Sequence, residues 1–142
     1  MAQRFAEHGK RSTIANVAVL ADLQSCAVDD RGGRAEGEAA AAAIEATRHL
    51  INHGHRKIAY LGVEPVTPTA QGRQRGFADA MAAAGLSEIS LQVDGLRSEQ
   101  QSYTAVDGLM RMDNPPTALF ASHHLVTLGA IRALHDLRLE DQ

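Results

Sequence analysis

Tryptophan is absent from this chain. The two tyrosines and three phenylalanines leave few ring faces on which a carbohydrate or a base could stack. A single cysteine, Cys26, excludes an internal disulfide, and no histidine accompanies it in sequence to make it a nucleophile. No apolar run approaches the roughly 18–20 residues that span a bilayer, and no secretory h-region follows Met1. A net charge of −3 supplies no global attraction for nucleic acid. These absences predict a cytoplasmic protein, and 142 residues suffice for one modest domain with a workable core.

Recognisable reaction chemistry is missing as well. Gly72-Arg73-Gln74-Arg75-Gly76 lacks the dinucleotide fingerprint, and no Gly-Lys-Ser/Thr phosphate loop occurs. The strand ends carry no acidic pocket for magnesium. His49 and His53 share a helix face at i, i+4 with His55 close by, yet no acidic or thiolate ligand stands at suitable spacing. Neighbouring His123 and His124 would diverge on a helix, which weakens them as a metal pair. No nucleophile, base and orienter assemble. The expectation is binding rather than catalysis, with no metal and no cofactor.

What is present is strand–helix alternation. A helix is predicted over 36–53, where Ala40, Ile44, Thr47 and Ile51 recur at i, i+4, i+7 and i+11. Glu36, Glu38 and Glu45 lie toward its start and Arg48, His49 and His53 at its end, with Gly54 placed for a left-handed cap. Residues 58–63 then read as a buried strand. Thr67 or Thr69 can cap a second helix carrying Phe77, Ala80, Met81 and Ala84, closed by Gly85. Ile89, Leu91 and Val93 alternate with polar residues as a half-exposed strand. Ser98-Glu99-Gln100-Gln101 has capping-box spacing before a third helix that Asn114-Pro115-Pro116 ends. Residues 117–121 form a further strand, and Leu125, Leu128, Ile131, Leu134 and Leu137 give the last helix a broad apolar face. Short connections imply right-handed parallel crossovers, hence an α/β fold with helices on both sheet faces and the three strands ordered second, first, third.

In open parallel sheets, ligands bind beyond the carboxyl ends of strands where the winding reverses. That places the expected crevice between the loops at Val63 and Ser122. Arg73, in the first turns of its helix, would meet hydroxyls, carboxylates or phosphates together with nearby amide donors. Ser122, His123 and His124 approach from the last strand's end. The plainer alternatives are a solvated surface charge for Arg73 and a helix cap for Ser122.

The stretch Gly54-His55-Arg56-Lys57-Ile58-Ala59-Tyr60-Leu61-Gly62, with His49-Leu50-Ile51-Asn52-His53 before it, resembles a junction in the lactose/galactose repressor (LacI/GalR) family of bacterial transcription regulators. The segment from Thr69 to Phe77 resembles the part whose arginine grips the effector. Asn114-Pro115-Pro116-Thr117-Ala118-Leu119-Phe120-Ala121-Ser122 and Leu128-Gly129-Ala130-Ile131-Arg132-Ala133-Leu134 extend the likeness. The resemblance implies one lobe of a periplasmic-binding-protein-like type I fold, over 36–142, that binds a sugar or nucleobase-type effector and forms a homodimer through the face from Leu125 to Leu137. It adds Arg97 to the crevice, at a place where members often present an aromatic ring. His123 and His124 replace the usual Asn-Asp, and Arg138 replaces a usual glycine after the last helix.

Residues 1–35 are read separately, set off by the glycine-rich, charged Arg31-Gly32-Gly33-Arg34. Thr13-Ile14-Ala15-Asn16-Val17-Ala18-Val19-Leu20-Ala21 resembles the first helix of the family's helix-turn-helix headpiece, but Asp29-Asp30 fall where Ser-Arg would meet DNA and would repel phosphates. The other reading makes Val17 to Leu20 a strand left from the first sensor lobe. The chain is therefore read as a partial effector domain, with operator DNA a doubtful partner and a stand-alone binding or oligomerisation module as the alternative.

Overall fold

The computed structural model describes residues 18–21 and 32–140. The elements in order are β1 (Ala18–Ala21), α1 (Gly32–Asn52), β2 (Ile58–Leu61), α2 (Pro68–Ala83), a 3-10 turn (Ser87–Ile89), β3 (Leu91–Val93), α3 (Glu99–Met110), β4 (Ala118–Ala121) and α4 (His124–Glu140). The described strands make one parallel sheet in the order β1-β4-β2-β3. The expected order β3-β2-β4 is contained in it, and β1 is added beside β4. Of the two readings of the amino-terminal segment, the described residues carry the strand: Ala18 pairs with Ala118 and Ala21 with Ala121. Cys26, Asp29 and Asp30 lie outside the described residues.

The sheet is central because its strands are apolar on both faces. Ile58, Tyr60, Ala118 and Phe120 point into one cluster with Phe77, Met81 and Leu50, under α1 and α2. Ala59, Leu61, Leu119 and Ala121 point into the other with Val106, Met110, Val126, Ala130 and Leu134, under α3 and α4. Strand side chains alternate in direction, so an unbroken apolar run serves two cores at once. Tyr60, Phe77 and Phe120 gather three of the chain's few rings, with centroids 5.2, 5.4 and 6.2 Å apart.

Each helix pair packs through glycine. A Cβ on Gly76 would overlap the Ala40 carbonyl oxygen and stand 2.9 Å from the Ala43 Cβ, while one on Gly72 would overlap the Glu36 carbonyl. On the other face a Cβ on Gly129 would overlap the Glu99 carbonyl and lie 2.7 Å from the Ser102 Cβ. The Gly72–Gly76 stretch is a helix-packing seam: its glycines let α2 lie close along the alanines of α1.

Several boundaries differ from expectation. α1 begins at Gly32, inside the stretch taken as a linker, so its first turn holds no acidic residue. Glu36 and Glu38 instead pair with Arg75 and Arg34. Ile89 belongs to the 3-10 turn, and β3 is only three residues long. Gln101 turns back as a capping box predicts, but its side chain accepts from the Arg97 N–H at 2.7 Å while Ser98 accepts from Gln101. The face expected on α4 splits. Leu134 and Leu137 are buried, but Leu125, Leu128 and Ile131 are exposed, and Val126, Ala130 and Ala133 face the core in their place. Arg138 lies within α4, which runs on to Glu140, so no turn forms there.

Gly76→Ala is expected to destabilise the fold by about 1–3 kcal/mol, since the helices must separate to admit a methyl group. Gly108→Ala, where nothing lies within 4 Å, is expected to stabilise it by about 0.5–1 kcal/mol through helix propensity. Urea denaturation of the two variants beside the parent measures both signs.

Candidate effector site

Three loops leave the carboxyl ends of β2, β3 and β4 on the same rim of the sheet. Backbone bonds lash them together: Gly62 donates to Val93 at 2.8 Å, Leu96 to Gly62 at 3.0 Å, and Ser122 to Leu61 at 3.0 Å. Thr67 then caps α2 by accepting from the Ala70 N–H at 3.1 Å, with Pro68 pre-set at the first helical position. The second turn of α2 thereby projects Arg73 toward the loop after β4, where its Nη1 donates to the Ser122 carbonyl at 2.7 Å. Arg73 is 7% exposed. A cation that deep is held by fixed acceptors, and the carbonyl it meets sits where the sheet's winding reverses.

A crevice of about 500 Å³ opens beside this bond. Its walls come from the β2 loop (Val63, Glu64, Val66), the start of α2 (Thr67, Thr69, Arg73), the β3 loop (Leu96, Arg97) and the start of α4 (His123, Leu125, Val126). Arg73, Arg97 and His123 therefore line one cavity. Ser122 and His124 do not line it. Ser122 is fully buried, contributes its carbonyl to Arg73, and its Oγ has no hydrogen-bond partner among the described residues. It is not the α4 cap either. His123 takes that place, its Nδ1 accepting from the Leu125 N–H at 3.2 Å. His124 is exposed. The two rings do not diverge: they stack with centroids 4.5 Å apart and planes at 27°, because His123 precedes the helix instead of lying on it.

The surroundings of His123 disfavour its charged form. Burial lowers its pKa first, then His124, then the Arg73 charge. Geometry agrees, since a backbone N–H can only donate, so the Nδ1 it meets must be unprotonated. Arg97 is 76% exposed at its side chain and faces Glu64 at 3.9 Å. Glu64, Leu96 and Val66 escaped the sequence reading, and their positions in the loops after strand ends are the signal that would have found them; Thr69 was read there as a possible helix cap and as the start of the resembling segment.

The His49, His53 and His55 group lies on the opposite rim. His53 Nδ1 meets the His49 carbonyl at 2.8 Å, and His55 Nδ1 meets Thr117 Oγ1 at 2.9 Å. Lys57 donates to the Asn114 carbonyl, and Thr117 donates to Lys57 at 3.0 Å. These residues tie the incoming ends of β2 and β4 together. Among the described residues no group of three or more His, Cys, Asp or Glu could hold a metal ion. No described helix is long and apolar enough to cross a membrane.

A ligand-sized crevice thus lies at the switch point of a parallel α/β sheet. Residues 47–140 match the periplasmic binding protein-like domain, and the chain belongs to that family, among the LacI/GalR regulators. It is 33% identical over 90 residues to the HTH-type transcriptional repressor PurR of Mannheimia succiniciproducens, covering 63% of this chain and 27% of that relative. To the PurR repressor of Haemophilus influenzae (strain PittEE) it is 38% identical over the same length, with the same coverage. The chain thus spans about a quarter of the length of these curated relatives. Among solved structures it is similar to a LacI transcriptional regulator from a Rhodococcus species, with TM-score 0.66 and 27% identity over 84% of this chain and 44% of that one. A putative LacI regulator from Bacillus cereus subsp. cytotoxis gives 0.62 and 32% over 71% and 36%.

His123 and His55 both bind protons less readily when folded, His55 through burial and then the neighbouring His53. Their stabilising contribution is present above the ordinary value of 6.5 and is lost as pH falls through the lowered folded values. Melting temperature is therefore expected to drop between pH 7 and pH 5. A fluorescence melt series should show a shallower drop in His123→Gln and in His55→Gln; a parent slope retained in both variants would contradict the assignment.

Proposed function

We propose that this chain is the effector-reading part of a LacI/GalR-type transcription regulator, acting in the cytoplasm, and that a small molecule of sugar or nucleobase type seats in the crevice above β2 and β4. The observation that carries the reading is Arg73, buried in the crevice wall and aimed by its bond to Ser122 across the switch point. Arg73 anchors the ligand, His123 offers a neutral ring edge, Arg97 reaches over the open side, and Ser122 acts through its carbonyl. His124 flanks the cavity by stacking on His123. Nothing in the arrangement joins a nucleophile to a base, so the role is recognition without turnover, and neither metal nor cofactor takes part.

Homodimerisation belongs to the same proposal. Leu125, Leu128 and Ile131 lie exposed along one side of α4, with Leu125 also in the crevice wall. A second copy over that side would cover apolar surface that water otherwise meets. Operator binding is not assigned to this chain, because Asp29-Asp30 would repel a phosphate backbone; a gel shift with a palindromic operator is expected to show no salt-sensitive complex.

A thermal-shift panel of sugars, sugar phosphates and nucleobases tests the reading. At least one class should raise the melting temperature, and Arg73→Ala should abolish that rise. Arg73→Lys retains charge but lacks the planar fork, and is expected to weaken binding by about tenfold or more. Unchanged affinity in both variants would remove Arg73 from the site.

A further inference from the structure

Among the described residues, the neutral polar side chains in the wall of the crevice are Thr67, Thr69 and His123. A threonine hydroxyl turns its proton to suit what it meets, so both threonines can donate or accept. An imidazole loses that freedom once one nitrogen is committed. His123 stands just before α4, and its Nδ1 accepts from the Leu125 N–H at 3.2 Å. The ring's proton is therefore on Nε2, because a neutral imidazole has a single N–H and a backbone N–H can meet only the bare nitrogen. Turning the ring over would set a carbon against the Leu125 N–H and leave a helix-end donor unpaired. His124 lies against the ring face, with centroids 4.5 Å apart. Tautomer and orientation are thus set by the helix that His123 caps, before any ligand arrives.

With Nδ1 taken up in this way, the polar group that the ring can offer a ligand is an N–H donor, and Nε2 has no hydrogen-bond partner among the described residues. Resting on the reading of the crevice as an effector site, we propose that His123 is a specificity-determining residue: its fixed Nε2–H selects an effector that presents a bare acceptor, a carbonyl oxygen or an unprotonated ring nitrogen, over one that presents an amino group at the same place. A carbonyl meets the donor with a lone pair. An amino group meets it with a hydrogen, so two donors face each other and both forfeit the bonds they had to water. The side chains of Val63, Leu96 and Val126 in the same lining are apolar and supply no hydrogen bond in compensation. A hydroxyl can accept as well as donate, so it is tolerated at that place without being selected.

Matched pairs of small molecules read this selection by calorimetric titration of the full chain. Uracil and cytosine, and hypoxanthine and adenine, exchange a carbonyl for an amino group on similar rings. Freshly dissolved gluconolactone and anhydroglucitol exchange a carbonyl for a methylene. The carbonyl member of a bound pair is expected to bind about threefold to tenfold tighter, the scale of one hydrogen bond net of water. His123→Asn keeps a helix cap, but its amide can donate or accept, so the preference should vanish. His123→Asp also keeps the cap and presents acceptors alone, so the preference between the keto and amino bases should reverse by about the same factor. A role confined to capping α4 predicts an unchanged preference in both variants. Nitrogen NMR of the labelled imidazoles reads the tautomer directly: the His123 signals, identified as those missing from His123→Asn, should show a protonated Nε2 and a bare Nδ1.

A ring protonated on Nδ1 would overturn the inference before any ligand is added. If a pair binds with equal affinity, or with the amino member tighter, the inference falls while the effector site stands, provided Arg73→Ala abolishes that binding. A preference kept in both His123 variants belongs to another residue and sinks it equally. If no pair binds at all, the inference falls together with the effector reading.

Discussion

β2 lies directly against β4, with Leu61 opposite Ala121, although two helices and a strand separate them along the chain. This pairing is the constraint from which the crevice follows. Both strands end at the same level, so the loop leading into α2 and the turn leading into α4 emerge side by side. The Arg73–Ser122 bond closes the gap between them. The pairing is held by apolar burial on both faces, where Ile58, Tyr60, Leu61, Leu119 and Phe120 are all almost completely removed from water. Any register slip would turn these side chains to the wrong core and separate the guanidinium from its acceptor.

The helices add a second constraint, because the site depends on how closely α2 approaches α1. Gly72 and Gly76 face α1, and Arg73 lies between them in sequence but is turned toward the crevice. The same few residues therefore set the depth of the helix and aim the cation. On the opposite face Gly129 brings α4 down onto α3, and buried Ser102 donates to the Val126 carbonyl at 2.6 Å. Further out, Tyr103 donates to Asp136 at 2.5 Å while Arg132 lies over its ring and pairs with Glu99. The start of α4, with His123 and Leu125, is positioned by that packing. Both sides of the crevice are consequently placed by helix contacts some distance from any ligand.

Much of the architecture could be read from residues alone because its signals are local. Gly54 and Gly85 do adopt the left-handed conformation that ends helices, at φ 98° and 75°. Thr67 and Ser98 cap the helices they precede. Arg73, Arg97 and His123 were placed at the rim by strand-end logic and by resemblance. Where the reading went astray, non-local packing was responsible. The spacing in the last helix gave one broad apolar face from Leu125 to Leu137, but contact with α3 and the sheet buries Leu134 and Leu137 together with Val126, Ala130 and Ala133 and leaves Leu125, Leu128 and Ile131 exposed. The glycines around Arg73 were legible only as the absence of a nucleotide motif, since their partner, the alanine run of α1, lies far away in sequence. Glu64 gave no signal because a lone carboxylate in a loop becomes informative only once Arg97 stands opposite it.

The order of apolar runs, caps and breakers was sufficient to determine that this chain alternates strand and helix and that the strand opening at Ile58 is buried on both faces. Those are properties of hydrogen bonding and hydrophobic period, which act over a few residues. Tertiary structure alone decided that Glu64 faces Arg97 across the cavity, that the unprotonated His123 Nδ1 accepts at the amino end of α4, and that a guanidinium is held buried against the Ser122 carbonyl. Those outcomes depend on distances between groups remote in the chain, and such distances exist only after the sheet has closed on both of its helical layers.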